Sequence, residues 1–210
     1  MSKYGYIGKD GPTQAIKDNT GLLSLEEHKD LIINDKIFTP GQLDLIETKT
    51  ASSLTTPNYI DFSSIQSNVY DVHFFTWSME GTNSNPMYIQ FFENGTIESG
   101  SNYKYANQYG GVGGTFSDSE RSSSATYIHL GTSKADAGGA LTQGYVYLYN
   151  LGDSTKESYA TYQSIKVDYF RFGSGVMTQA SVVDGIRFGK TGSTSYDILG
   201  ASLYGIKEYT

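Results

Sequence analysis

From Leu43 to the end the chain reads as short strand patterns broken by Gly, Ser, Thr and Asn, and this punctuation confines it to an all-β fold. Strands are predicted over Leu43–Thr50, Asn58–Phe62, Val69–Trp77, Met87–Phe92, Thr96–Glu98, Ala125–Leu130, Gly144–Asn150, Tyr159–Phe172 and Val176–Val183. Two more close the chain, Val182–Phe188 and Tyr196–Lys207. In the last of them Ile198, Ala201, Leu203 and Ile206 fit a buried strand whose alternation slips at Gly200, which predicts a bulge. Asn94-Gly95 between apolar runs is the residue pair preferred in a type I′ hairpin turn. Val and aromatic residues on both faces of Val69–Trp77 predict a central strand covered on both sides. About ten strands in one domain suit two packed sheets. The 24 glycines, 18 tyrosines and only 18% charged residues agree, because a helical bundle draws on Ala, Glu, Lys and Leu.

The first 41 residues differ. Residues 1–21 are Gly-rich and polar without period, as in an extended arm that orders on a partner. One short helix is predicted after it. Ser24 and Glu27 form a capping box, Leu25, Leu31, Ile32 and Ile33 supply an apolar side, and Pro40-Gly41 turns the chain into the first strand. The division expected is an arm and helix over 1–41 and a sandwich over 42–210.

Several chemistries are disfavoured by what the chain contains. With no cysteine there is no disulfide or thiolate metal site, and His28, His73 and His129 lie in separate elements without ligand spacing. No metal or cofactor is expected. A net charge of -7 opposes binding to nucleic acid or an anionic membrane. The N-terminus lacks a signal-peptide core, and no run approaches the roughly 18 apolar residues of a membrane helix, so a soluble protein without membrane insertion is expected. The stretch from Ser99 to Ser124, with Gly110-Gly-Val-Gly-Gly114, reads as a long flexible loop, since a phosphate loop would end in Gly-Lys-Ser/Thr. Asp71, Glu80 and Glu93 are the first carboxylates to consider for glycoside hydrolysis, with solvation of strand edges as their simpler role.

Two segments, Gln42-Leu-Asp-Leu-Ile-Glu-Thr-Lys-Thr-Ala-Ser52 with Tyr59-Ile-Asp-Phe62 and Val69-Tyr-Asp-Val-His-Phe-Phe75, and Asp184-Gly-Ile-Arg-Phe188 with Gly200-Ala-Ser-Leu-Tyr-Gly-Ile-Lys207, occur in this order. The combination resembles small structural proteins of tailed phages, especially those of marine bacteria. Tyr4-Gly-Tyr-Ile-Gly8 is similar to the short arm that opens many phage fibre and adhesin-like proteins. The resemblance implies a jelly-roll-like sandwich on the exterior of a virion, as a tail fibre or appendage component, with head decoration as the alternative. It implies a homo-oligomer, a trimer first, docked onto other virion proteins of the tail, portal or capsid through the arm and helix, with Tyr4, Tyr6, Ile7, Leu22 and Leu25 as anchors. A second class is a module that binds host-surface glycan through Trp77, expected at the sandwich rim, and the loop residues Tyr103, Tyr105 and Tyr109, whose flat faces suit sugar rings. A polysaccharide depolymerase ranks third, and a non-enzyme is expected.

Overall fold

The computed structural model describes Glu26, Lys29 and residues 43–81, 84–132 and 141–206, without the side chains of Asp118 and Ser119. Glu26 and Lys29 are helical and exposed. The rest of the predicted helix and the arm, with Tyr4, Tyr6, Ile7, Leu22 and Leu25, lie outside the described residues. All described strands belong to the unit Gly41–Thr210.

Thirteen strands follow one another among the described residues: β1 Leu43–Leu54, β2 Tyr59–Phe62, β3 Val72–Gly81, β4 Pro86–Glu93, β5 Thr96–Ile97, β6 Tyr103–Gly111 and β7 Phe116–Ala125, then β8 Ile128–Thr132, β9 Leu141–Tyr149, β10 Ser158–Lys166, β11 Tyr169–Met177, β12 Gly185–Lys190 and β13 Tyr196–Ile206. They form an antiparallel two-sheet sandwich of the jelly-roll-like kind expected. One sheet has eight strands in the order β1-β13-β3-β9-β10-β11-β6-β7. The other has five, β2-β12-β4-β5 with β8 also paired to β4.

The count exceeds the ten expected for identifiable reasons. Residues 103–125 form the β6/β7 hairpin where a flexible loop was expected. There Tyr103, Tyr105, Asn107 and Tyr109 alternate with Lys104, Ala106, Gln108 and Gly110, and β6 is bonded on both sides, to β11 and β7. Polar outward residues hid a period of two. Tyr159–Phe172 is likewise two strands, because Val167-Asp168 turns the chain into register Lys166↔Tyr169. The predicted strand over Val176–Val183 stops at Met177, and Val183 N–H instead donates to the Leu151 carbonyl at 2.7 Å. Two local expectations hold. The register of β13 against β3 shifts between Ile198 and Gly200, and Asn94 and Gly95 have φ of 51° and 72°.

The core lies between the sheets and is aromatic. Phe75 stacks on Trp77 with centroids 6.0 Å apart, Phe188 of the opposite sheet meets them at 5.3 and 5.4 Å, and Phe62 contacts Phe75 edge-on at 5.5 Å. Burying each such ring contributes about 1.5–3 kcal/mol. Gly144, on the strand beside β3, makes room for the indole: a Cβ there would sit 2.3 Å from Trp77 Cζ2 and 2.5 Å from the Gln163 carbonyl. β3 is central, as predicted, but among the described residues the opposite sheet covers its inner face only.

Polar groups enter this core as well. His73 Nε2 donates to the Ile65 carbonyl at 2.7 Å, and His129 Nδ1 donates to Glu120 at 3.3 Å. Both other ring nitrogens are buried and without a partner among the described residues. Burial holds both histidines below their ordinary pKa, against the opposing pull of Ile65 and Asp71 on His73 and of Glu120 on His129; Arg171 beside His129 reinforces the burial. The unfolded chain therefore takes up protons near the ordinary histidine pKa, while the folded one does so only at lower pH. Stability is present in full above about pH 6.5 and falls as pH drops below it. The urea midpoint should be lower at about pH 5 than at about pH 7.5, and His73→Gln should flatten the difference. Equal midpoints at the two pH values would refute this account.

Candidate functional site

The outward face of the eight-stranded sheet carries the most developed surface. Along β9 the inward residues Val146 and Leu148 are fully buried, so the pleat turns Tyr145, Tyr147 and Tyr149 outward. Strand register aligns them with residues of seven other strands. One cross-strand row runs Leu45, Tyr204, Phe74, Tyr147, Thr161, Ser174, Ala106, Arg121. A flanking row runs Tyr145, Gln163, Phe172, Gln108, and the other runs Tyr149, Tyr159, Val176, Lys104.

This register builds a groove. Thr161, Ser174 and Ala106 are small and form its floor, while the bulkier flanking rows form its walls. Its volume is about 840 Å³, within the range of ligand-binding clefts. From Tyr147 to Arg121 it crosses four strand spacings, about 19 Å. At one end the rings join in a shelf, with Phe74 at 4.8 Å from Tyr147, 5.9 Å from Tyr145 and 6.2 Å from Tyr204. Tyr145 donates its hydroxyl to Gln163 Oε1 at 2.8 Å, which fixes the amide with its N–H donors free of that bond. Beneath the floor, buried Asn107 donates to the Tyr162 hydroxyl at 3.0 Å. Burial raises the Tyr162 pKa well above its ordinary value, so this hydroxyl stays protonated.

The residues singled out from sequence lie elsewhere. Trp77 is 3% exposed and Tyr103 is fully buried, so neither is at a rim or in a loop. Tyr103 accepts from the Phe91 N–H at 2.9 Å and donates to the Glu98 carbonyl. Tyr105 packs edge-on against His129 on the inner side, and Tyr109 rests against Tyr169 and under Arg171. These four form no outward platform. The physical reason is phase: on β6 the odd-numbered residues face in, and on β3 the outward residues are Phe74 and Thr76. The signal that would have found the groove is the alternation Tyr145-Val-Tyr-Leu-Tyr149, whose tyrosines were assigned to cross-strand packing alone.

Nor do the candidate carboxylates meet. Asp71 and Glu80 stand at opposite ends of β3, nine residues or about 30 Å apart, whereas glycosidase pairs are about 5–10 Å apart. Glu93 belongs to the other sheet and accepts from Gln179 at 2.8 Å and from Ser181. Glu120, His129 and Arg171 come together, with Glu120 3.8 Å from Arg171, but the free His129 nitrogen is enclosed by protein. Among the described residues no group of three acidic or histidine side chains is placed to hold a metal ion. No helix there is long and apolar enough to cross a membrane.

No protein-family model and no curated protein matches the chain. Among solved structures it is similar to a fructofuranosidase from Schwanniomyces occidentalis complexed with fructosylnystose, at 8% identity and a TM-score of 0.36, covering 81% of this chain and 35% of that one. A marine PL-14 alginate lyase from Aplysia kurodai is similar at 9% identity and a TM-score of 0.30, covering 79% of this chain and 90% of the lyase. The chain thus spans about a third of the fructofuranosidase's length. Likenesses this distant assign no activity.

The chain has one tryptophan, which makes its environment directly measurable. Emission of the native protein should be blue-shifted and nearly insensitive to iodide, and should become quenchable only on unfolding. Strong quenching in the folded state would return Trp77 to the rim.

Proposed function

We propose that this chain is an appendage protein of a phage virion whose sandwich binds glycan in the groove of the eight-stranded sheet and catalyses nothing. The observation that carries the binding half is the combination of exposed ring faces with fixed amide and hydroxyl groups along one open groove. Flat rings cover the apolar faces of sugar rings, while Gln163, Gln108, Thr161 and Ser174 supply hydrogen bonds to hydroxyls. An open groove on a sheet admits an internal stretch of a polymer. Tyr147→Ala and Phe172→Ala should each weaken binding to host-surface polysaccharide about tenfold, since truncating an interface aromatic costs about 1–2 kcal/mol. Thermal midpoints should hardly change, because both side chains are partly exposed. Unaltered affinity in both variants would reject the groove.

The virion half rests on the sequence resemblance and on the apolar end of the same sheet. There Val112, Phe116 and Val167 are 83%, 69% and 68% exposed, and such surface is commonly covered in an oligomer. A homotrimer docked by its N-terminal arm accommodates both, and head decoration is the alternative position. A chain lacking residues 1–21 should remain folded and trimeric by sedimentation but fail to enter particles. Incorporation of the truncated chain would reject arm docking, and a monomer would reject the trimer.

A further inference from the structure

We infer that the glycan crosses the aromatic shelf into a second subsite that takes an uncharged sugar unit; this rests on the glycan-binding reading above and states the length and class of chain bound. The inference comes from a second hollow on the same outward face. Its volume is about 450 Å³, and Tyr145 lines both it and the groove. The shelf therefore stands between two hollows. Tyr147 borders the groove and Phe74 borders the second hollow, with their rings 4.8 Å apart.

Register explains why the hollows are offset. The row through Phe74 and Tyr147 is bulky on β3 and β9 and becomes small at Thr161, Ser174 and Ala106, which gives the groove. The next row runs the other way. Thr48, Ser202 and Thr76 are small on β1, β13 and β3, and bulk begins with Tyr145 on β9. One row further, Gly200 and Ser78 extend this second floor, and a Cβ at Gly200 would meet nothing within 4 Å. Ile165, 57% exposed, bounds its far side. Thr76 and Thr161 stand two strands and two residues apart, about 12 Å. From Ser202 to Ala106 the path crosses five strand spacings, about 24 Å. A short sugar fills one hollow, and only a longer chain fills both.

The chemistry of the second hollow sets the class of sugar. Among the described residues that line it none is charged. A charged substituent seated there would lose water without gaining an opposite charge. A neutral sugar meets what is present, the rings of Phe74 and Tyr145 for its apolar side and the hydroxyls of Thr76, Ser78 and Ser202 for its own. These hydroxyls keep bonding capacity. Ser202 shares one hydrogen bond with Thr48 at 2.9 Å, and the Gln143 amide reaches the Ser78 hydroxyl only at 3.5 Å. Tyr145 is already tied to Gln163, so the ring between the hollows is in place before a chain arrives.

The experiment measures binding of the full-length protein to oligosaccharide ladders, from disaccharide to octasaccharide, cut from dextran, galactan, mannan and a β-glucan. At least one ladder should bind, with affinity rising again once the chain is long enough to pass the shelf. Thr76→Leu combined with Ser202→Leu fills the second hollow, and should weaken the long members about tenfold while leaving the short ones unchanged. Ser174→Leu, on the groove floor, should weaken short and long alike. Thr76→Val combined with Ser202→Ala removes two hydroxyls at nearly constant shape, which keeps the test if the filled variant does not fold, and should cost the long members about fivefold. Long chains that bind these variants as tightly as the wild type, or short and long members that lose equally, would overturn the second subsite while leaving groove binding in place. No binding of any ladder would sink the glycan reading itself.

Discussion

The arrangement of this protein depends on the two-residue alternation of a strand that has one face in the core. Once Val146 and Leu148 are committed between the sheets, Tyr145, Tyr147 and Tyr149 have no other place than the open side. The same holds for β3, where burying Phe75 and Trp77 presents Phe74 and Thr76. Antiparallel register then lines up the outward residues of eight strands into rows. The groove is one row of small side chains between two rows of large ones, so it is a property of the register and requires no loop.

Close packing beneath it keeps that register single-valued. Phe188 crosses from the five-stranded sheet to meet Phe75 and Trp77, and Gly144 leaves the space the indole fills. Gly173 does the same under the groove, where a Cβ would come within 2.5 Å of Asn107 Cβ and 2.8 Å of the Tyr162 hydroxyl. A one-residue slip of β9 or β11 would drive a side chain into these contacts and turn the tyrosines inward. Overpacking of this kind costs about 1–3 kcal/mol per site, a large share of the stability of an ordinary domain.

How much of this is legible in the sequence depends on whether a segment's inward residues are apolar. Asn94-Gly95 and the slip at Gly200 are local and chemically specific, and both are where the sequence places them. The β6/β7 hairpin was not legible, because its inward set includes Asn107 and Glu120 and its outward set includes Gly110, so no apolar period marks it. Trp77 illustrates a different limit. Its position at the end of an apolar run suggested a rim, but β3 continues to Gly81 and keeps position 77 in the core. The inward partners that bury it, Phe188 and Gly144, are more than 60 residues away and unknowable from local pattern. The arm and helix lie outside the described residues, so the anchors proposed there stand on resemblance alone.

A rigid floor also determines what kind of binding surface this is. The wall residues project from paired strands, and Tyr145 and Tyr149 are further tied to Gln163 and Thr161 through their hydroxyls. A ligand therefore meets rings already in place, and little conformational entropy is lost on binding. The same geometry leaves the groove open along one side, so a sugar chain bound there as proposed would keep much of its hydration and each site would bind modestly. Under the proposed function, strength would come from copy number: several sandwiches held near one polymer would act at a high effective concentration, and weak contacts would multiply into firm attachment. In the proposed appendage role such a surface would gain nothing from a catalytic pair, because cleaving the polymer would release the particle from the contacts that hold it.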